Sequence, residues 1–193
     1  TDSSAEDDHG HGTYVSGIIT SQHSTYTGVA HGANLLSAKV SNSSGSGSNA
    51  DIVLAMDWCI AGVSTYNISV ISISLGGGGF SSWCDDHEDA SYYTRPVNNA
   101  TFLNITVVAA TGNLGSTTEI AAPACIKNVT AVSSSTKADA ISGFANRNSV
   151  TDLVAPGSSI TSLWIGGGTA SGDGTSASAP FVSGAIALLR QYF

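Results

Sequence analysis

Charge is scarce in this chain. Only 10% of its 193 residues are charged, and six Lys plus Arg stand against 14 Asp plus Glu, for a net charge of −8. There is no basic run, which argues against nucleic acid or an anionic membrane surface as partner. No apolar stretch approaches the roughly 20 residues of a spanning helix, so no membrane segment is expected. Cysteine is nearly as sparse: Cys59, Cys84 and Cys125 fit neither a zinc cluster nor a Cys-x-x-Cys redox pair. Cys59 falls in a helical pattern and reads as a buried small hydrophobe. Cys84 and Cys125 lie in loops; connectivity cannot be read from sequence alone, but the expected bridge in an oxidising compartment joins these two and leaves Cys59 reduced. The chain opens on Thr1-Asp2 without a signal peptide, in the middle of a motif, which says nothing about location.

What is present supports one core. A 41% hydrophobic content over this length suits a single domain across residues 1–193, and 22 glycines point to many tight turns. Five Asn-x-Ser/Thr triplets begin at Asn42, Asn67, Asn99, Asn104 and Asn128. They would suit a secreted glycoprotein, but a chain this rich in Ser, Thr and Asn produces such triplets by composition, so they carry little weight.

The stretch around which the chain is organised runs from Gly172-Asp173-Gly174-Thr175-Ser176 through Pro180 to Gly184 and on to Leu189. Pro180 lacks an N–H and is tolerated near a helix start, so a helix is expected from about Ser176. Ser176 then sits where free backbone N–H groups and the positive helix end favour developing negative charge. Taken alone, Thr175 or Ser176 would be no more than a helix cap, with Gly184 and Ala185 a close-packing face.

Earlier segments add to it. Asp7-Asp8-His9-Gly10-His11-Gly12-Thr13 admits two readings, a metal cluster of carboxylates and imidazoles, or a histidine at the start of a buried helix. No third ligand stands nearby at a metal-binding spacing, and His9 reads as a solvated loop residue. Gly28 to Val40 reads as a turn and a buried strand, with His31 at the surface. Ser41 to Ser48 is a loop. A helix is expected from Ala50 to Gly62, and Ser69 to Leu75 reads as a central parallel strand ending in Gly76 to Gly79. Asp85, Asp86, Glu88 and Asp89 form either a calcium loop or a solvated charge run. Thr94 as cap with Pro96 in the first turn predicts a short helix over 97–102. Ile105 to Ala110 is a strand leading into Thr111-Gly112-Asn113. Strands and helices in alternation imply a parallel sheet covered on both faces, with a site at the carboxyl ends of the strands.

These blocks resemble, in order, the subtilisin-like serine proteases (the subtilases). Gly-Thr-Ser-Ala-Ser-Ala-Pro-Phe-Val-Ser-Gly at 174–184 is similar to the nucleophile signature Gly-Thr-Ser-Met-Ala-x-Pro-His-Val-x-Gly. His11-Gly12-Thr13-Tyr14-Val15 is similar to the histidine motif, with Tyr14 where a second His is usual. Gly28-Val29-Ala30-His31, Ser74-Leu75-Gly76-Gly77, Ala110-Thr111-Gly112-Asn113, Ala122 to Val132, and Phe144 to Gly157 match further segments, the last two without chemistry. The resemblance implies a subtilisin-like three-layer α/β fold, mostly parallel, with helices on both faces of the sheet and incomplete at both ends. It implies Ser176 as nucleophile, His11 as general base, and Asn113 with the Ser176 amide as oxyanion donors. Ser74, Leu75, Gly76, Thr111 and Gly112 would bind an extended peptide. No cofactor enters this chemistry, though structural calcium occurs in the family. A monomer outside the cell or at its surface is implied. One part departs from the pattern: the family's Asp-Ser/Thr-Gly motif precedes the histidine on a strand, whereas here Asp2, Asp7 and Asp8 belong to a polar entry loop. The chain is therefore expected to be an internal piece of a longer protease, insoluble or without measurable proteolysis by itself. The alternative is a non-catalytic subtilase-like module that binds peptides.

Overall fold

Period-2 alternation sets the sheet. Val107 and Ala109 are buried against one helical layer, and their neighbours Val108 and Ala110 against the opposite one. The computed structural model describes residues 4–193, so Asp2 lies outside the described residues. In chain order the elements are α1 (His11–Thr20), α2 (Asn49–Ala61), α3 (Val63–Tyr66), β1 (Val70–Ile73), β2 (Gly77–Phe80), α4 (Thr94–Phe102), β3 (Thr106–Ala110), β4 (Ile120–Ala122), β5 (Val129–Ser135), β6 (Leu153–Pro156), β7 (Ile160–Trp164), β8 (Gly168–Gly172) and α5 (Thr175–Tyr192).

Four strands form a parallel sheet in the order β1-β3-β5-β6. Ile52 and Met56 of α2 and Val97 and Ala100 of α4 cover one face, while Ala179 and Val182 of α5 cover the other. The three layers are those the resemblance implies. Two antiparallel pairs, β2 with β4 and β7 with β8, stand outside this sheet. Gly184 lets α5 lie close to the turn at Val29, since a Cβ there would meet Val29 Cβ at 2.7 Å. A disulfide joins Cys84 to Cys125 and leaves Cys59 as a free, partly buried thiol, which is the expected pairing.

Two strand expectations are corrected. Residues 34–39 run without strand pairing, with Leu35 and Leu36 exposed at 45% and 43%. The strand at 70–73 is an edge strand of its sheet rather than a central one, with Ser72 exposed. Both segments line one cavity of about 1280 Å³. Neither segment finds a ladder partner on that side among the described residues, and backbone pairing is what turns an extended run into a strand.

Helix ends follow local chemistry. Ser48 caps α2, its Oγ accepting the Asp51 N–H at 3.1 Å and donating to Asp51 Oδ2 at 2.8 Å. Gly62 ends α2 as expected, though in right-handed conformation, and the chain continues into α3. α4 starts three residues earlier than the sequence suggests. Thr94 lies inside it rather than capping it and donates to the Asp85 carbonyl at 2.8 Å. At α1, the Asp7 carboxylate serves as the N-terminal acceptor. Its Oδ1 takes the N–H groups of His9 and Gly10 at 3.0 and 2.8 Å, and its Oδ2 takes both N–H and Oγ1–H of Thr13 at 2.7 Å. Burial alone would raise the carboxyl's pKa, but bonds from Gly10, Thr13 and His9 outweigh it and hold the group well below the usual carboxylate range.

A carboxyl whose pKa is depressed on folding stabilises the protein above its unfolded value, near 3.9, and loses that contribution as pH falls below it. Asp7→Asn should cost about 1–2 kcal/mol at pH 7, the usual size of a lost cap. Urea midpoints of the two proteins should converge as the pH is taken down from 5 toward 2. A gap that persists unchanged into acid would show that the charge of Asp7 is not what anchors α1.

Candidate active site

The carboxyl ends of β1 and β3, the start of α1 and the start of α5 meet at one cleft of about 380 Å³. His11, Ser74, Leu75, Gly76, Gly112, Asn113 and Ser176 all line it, so seven of the eight residues singled out from the sequence come together. The eighth, Thr111, does not line the cleft. It is fully buried, and its Oγ1 donates to the Asn146 carbonyl at 2.7 Å.

The loop after β3 is held in place by polar side chains. Asn113 Oδ1 accepts the backbone N–H of Thr175 at 2.9 Å and the Thr175 Oγ1–H at 3.0 Å. Thr175 Oγ1 in turn accepts the Gly112 N–H at 3.0 Å. With both of these donors on Oδ1, the Nδ2 group of Asn113 is the one left to face the cleft. Asn146 completes the scaffold: its Oδ1 accepts the N–H groups of Leu114 and Ser116 at 2.8 and 3.0 Å, and its own N–H donates to the Gly112 carbonyl at 3.0 Å. Thr175 and Asn146 are buried. By its sequence context the first reads as a possible cap and the second as part of a segment without chemistry. Nothing in sequence spacing joins positions 113, 146 and 175; only the fold does.

α5 begins at Thr175, one residue before the expected start, and Pro180 lies within it. A proline at 180 cannot donate to the carbonyl four residues back, which is that of Ser176. Ser74 Oγ fills the gap, donating to the Ser176 carbonyl at 2.9 Å. The end of β1 is thereby tied to the residue at the cleft. Beside it, a Cβ on Gly174 would lie 2.8 Å from Ser176 Oγ and 3.4 Å from Asn113 Nδ2. The bare glycine keeps open a small space bordered by a hydroxyl and an amide donor.

His11 opens α1 and borders both the cleft and the larger cavity. Burial lowers its pKa, the neighbouring His9 lowers it further, and the charge of Asp7 opposes them without prevailing. Among the described residues no carboxylate hydrogen-bonds the His11 ring, because both oxygens of Asp7 are taken up at the start of α1. His9 is not the solvated residue expected. It is half-buried, its ring 6.4 Å from His11 and 6.5 Å from Trp164, and its buried Nδ1 has no hydrogen-bond partner. His31 is exposed, as expected. Tyr14 is buried in α1 and donates to the Ile160 carbonyl at 2.8 Å; burial and then the Asp173 charge push its phenol up to about 12.

The metal readings find no support in the arrangement. Asp8 pairs with Lys39 at 2.8 Å, and Asp7 is committed to backbone N–H groups. Among the described residues no group of three or more His, Cys, Asp or Glu could hold a metal ion.

Comparison with known proteins agrees with this geometry. The sequence pattern of the subtilase family (Peptidase_S8) matches residues 1–193. The extracellular serine proteinase of Thermus sp. (strain Rt41A) is 36% identical over 192 residues, covering 98% of this chain and 43% of that protein. Subtilisin-like protease 3 of Trichophyton tonsurans is 37% identical over 194 aligned positions, covering 98% and 46%. The crystal structure of a cold adapted subtilisin-like serine proteinase superposes with a TM-score of 0.84 at 33% identity, covering 99% of this chain and 65% of that one. The chain thus spans less than half the length of these two curated relatives. With its three-layer parallel fold and a cleft formed at the start of α5, the chain belongs to the subtilase family.

Proposed function

We propose that this chain carries the nucleophile, base and oxyanion donors of a serine endopeptidase, with the carboxylate of the triad supplied from outside these 193 residues. The observation that carries the reading is the space beside Gly174, faced at once by Ser176 Oγ and Asn113 Nδ2, in a cleft that His11 also lines. In this reading Ser176 Oγ attacks the scissile carbonyl while His11 takes its proton. The carbonyl oxygen, now negative, accepts from Asn113 Nδ2–H and from the Ser176 backbone N–H at the helix start. His11 then returns the proton to the leaving amine, and water repeats the sequence on the acyl-enzyme. The substrate is an extended peptide against Ser74, Leu75 and Gly76, with Gly112 on the other wall. The enzyme acts as a monomer outside the cell, where the relatives named extracellular work. Among the described residues no helix is long and apolar enough to cross a membrane. The reaction so written takes no metal or organic cofactor.

A second reading, a non-catalytic peptide-binding module, draws on one observation: no described carboxylate orients His11. Labelling decides between them. In the full-length protein a serine-directed phosphonate should react at Ser176, and Ser176→Ala should abolish both labelling and turnover. An unlabelled, inactive but folded full-length protein would favour the binding module, and undiminished labelling of the Ala variant would remove Ser176 from its role.

Asn113→Leu should lower kcat by roughly 10²–10³ with little change in KM, the magnitude known for the corresponding donor of subtilisin itself rather than one obtained from this geometry. A loss confined to KM would mean that Asn113 only binds substrate.

Activity requires neutral His11. In these 193 residues, where no described carboxylate bonds the ring, burial and His9 hold its pKa below the ordinary 6.5, so the His11 ring resonances of this chain should titrate by NMR with a midpoint below that value. A midpoint above 7 would overturn this account of the surroundings of the ring.

A further inference from the structure

Phe102, the last residue of α4, stands 89% exposed, with Leu103 beside it at 39%. An exposed aromatic is common on protein surfaces and signals nothing alone. The turn in which this one stands is unusual in its combination of features. α4 closes with two bonds: Asn104 N–H to the Thr101 carbonyl at 3.0 Å, and Ile105 N–H to the Ala100 carbonyl at 2.9 Å. Asn104 takes the left-handed conformation this motif needs, at φ 60. Arg190 of α5 pins the turn by donating to the Asn104 carbonyl at 2.8 Å and to Thr106 Oγ1 at 3.1 Å. Glycine would serve the turn at least as well. Asparagine there, followed by Ile105 and Thr106, also completes an acceptor triplet, on an exposed side chain whose carboxamide makes no hydrogen bond among the described residues.

We propose that Asn104 is N-glycosylated and that the ring of Phe102, two residues before it, covers the apolar face of the first sugar. The donor is a lipid-diphosphate-linked oligosaccharide. Asn104 Nδ2 bonds to the anomeric carbon, the bond from that carbon to the diphosphate oxygen breaks with its electron pair on the diphosphate, and the amide gives up one proton. Pyranose C–H groups present an apolar face that an exposed aromatic ring can cover, removing both from water.

The other four triplets lack this arrangement. Asn128 Nδ2, the atom that would carry a sugar, donates to Asn98 Oδ1 at 2.8 Å. Asn99 lies within α4, with its Thr101 hydroxyl committed to the Val97 carbonyl at 3.0 Å. Asn42 uses its Oδ1 to close its own loop on the N–H groups of Ser44 and Ser46. Asn67 is exposed and left-handed, but its neighbour Tyr66 already stacks on Trp58 at 5.6 Å. Position also favours Asn104. It stands just before β3, whereas Asn113 follows it, and the five residues of β3 span about 17 Å. A glycan there grows from the end of the sheet opposite the cleft and leaves peptide access open.

The inference requires passage through a glycosylating secretory route and is independent of catalysis, so its test reads modification rather than activity. The full-length protein is secreted from yeast, treated with peptide-N-glycosidase in heavy-oxygen water, and mapped by mass spectrometry. Asn104 should be recovered as heavy-oxygen-labelled Asp, and Asn104→Gly, which keeps the left-handed turn, should lose that glycan. Trimming to a single N-acetylglucosamine should leave a higher Tm than complete removal, and Phe102→Ala should erase the difference. An unmodified Asn104 in the secreted protein overturns the site. The same Tm difference in the Phe102→Ala variant overturns the role of the ring.

Discussion

Thr175 is the joint on which the cleft depends. Its amide and hydroxyl both donate to the Asn113 carboxamide oxygen, and its hydroxyl accepts the Gly112 N–H, so one buried side chain locks the loop after β3 to the first turn of α5. These bonds lie out of water, where hydrogen bonds polarise one another and an unmade one is costly. The consequence is orientation. A carboxamide is nearly symmetric in shape, and only its partners decide which end faces the substrate space. With the oxygen held by Thr175, the NH₂ group is the end left to face the cleft, which is the orientation the proposed oxyanion role of Asn113 requires.

A second coupling runs from a broken rule. Proline in the body of a helix removes a backbone bond and leaves a carbonyl without its donor. In α5 that carbonyl belongs to Ser176, and the hydroxyl of Ser74 at the end of β1 supplies the missing partner. The defect becomes a tether between sheet and helix at the residue where position matters. Both couplings work on short side chains, so neither relies on long, entropically costly groups. The scarcity of Lys, Arg, Asp and Glu fits this arrangement: the polar interior is built from hydroxyls and amides, among them Ser133 on the Asn146 carbonyl and Ser178 on the Ala155 carbonyl, at 2.9 and 3.0 Å.

The layers of the fold were legible because hydrophobic periodicity is a local property. The apolar, β-branched run from Ile105 to Ala110, the helical spacing from Ile52 to Ile60, and the glycine-bounded motifs all read directly into elements of the right kind. Boundaries were less legible. α4 starts at Thr94 because the Thr94 hydroxyl finds the Asp85 carbonyl, nine residues back along a loop. Residues 34–39 look like a strand, yet a strand is a statement about a neighbour, and no β-ladder includes them among the described residues.

By itself the sequence determined the class of fold and the residue types that meet at the cleft, since each of these is written in a short motif or a local period. Only the tertiary structure decided what each residue does there. It buried Thr111, half-buried His9, committed Asp7 to the start of α1, and assigned Thr175, Asn146 and Ser74 to hold Asn113 and Ser176. The reason is range. A motif records which atoms are available within a few residues, whereas orientation, burial and hydrogen-bond partnership are settled by contacts between positions as far apart as 74 and 176, and those exist only once the sheet has brought its strand ends together.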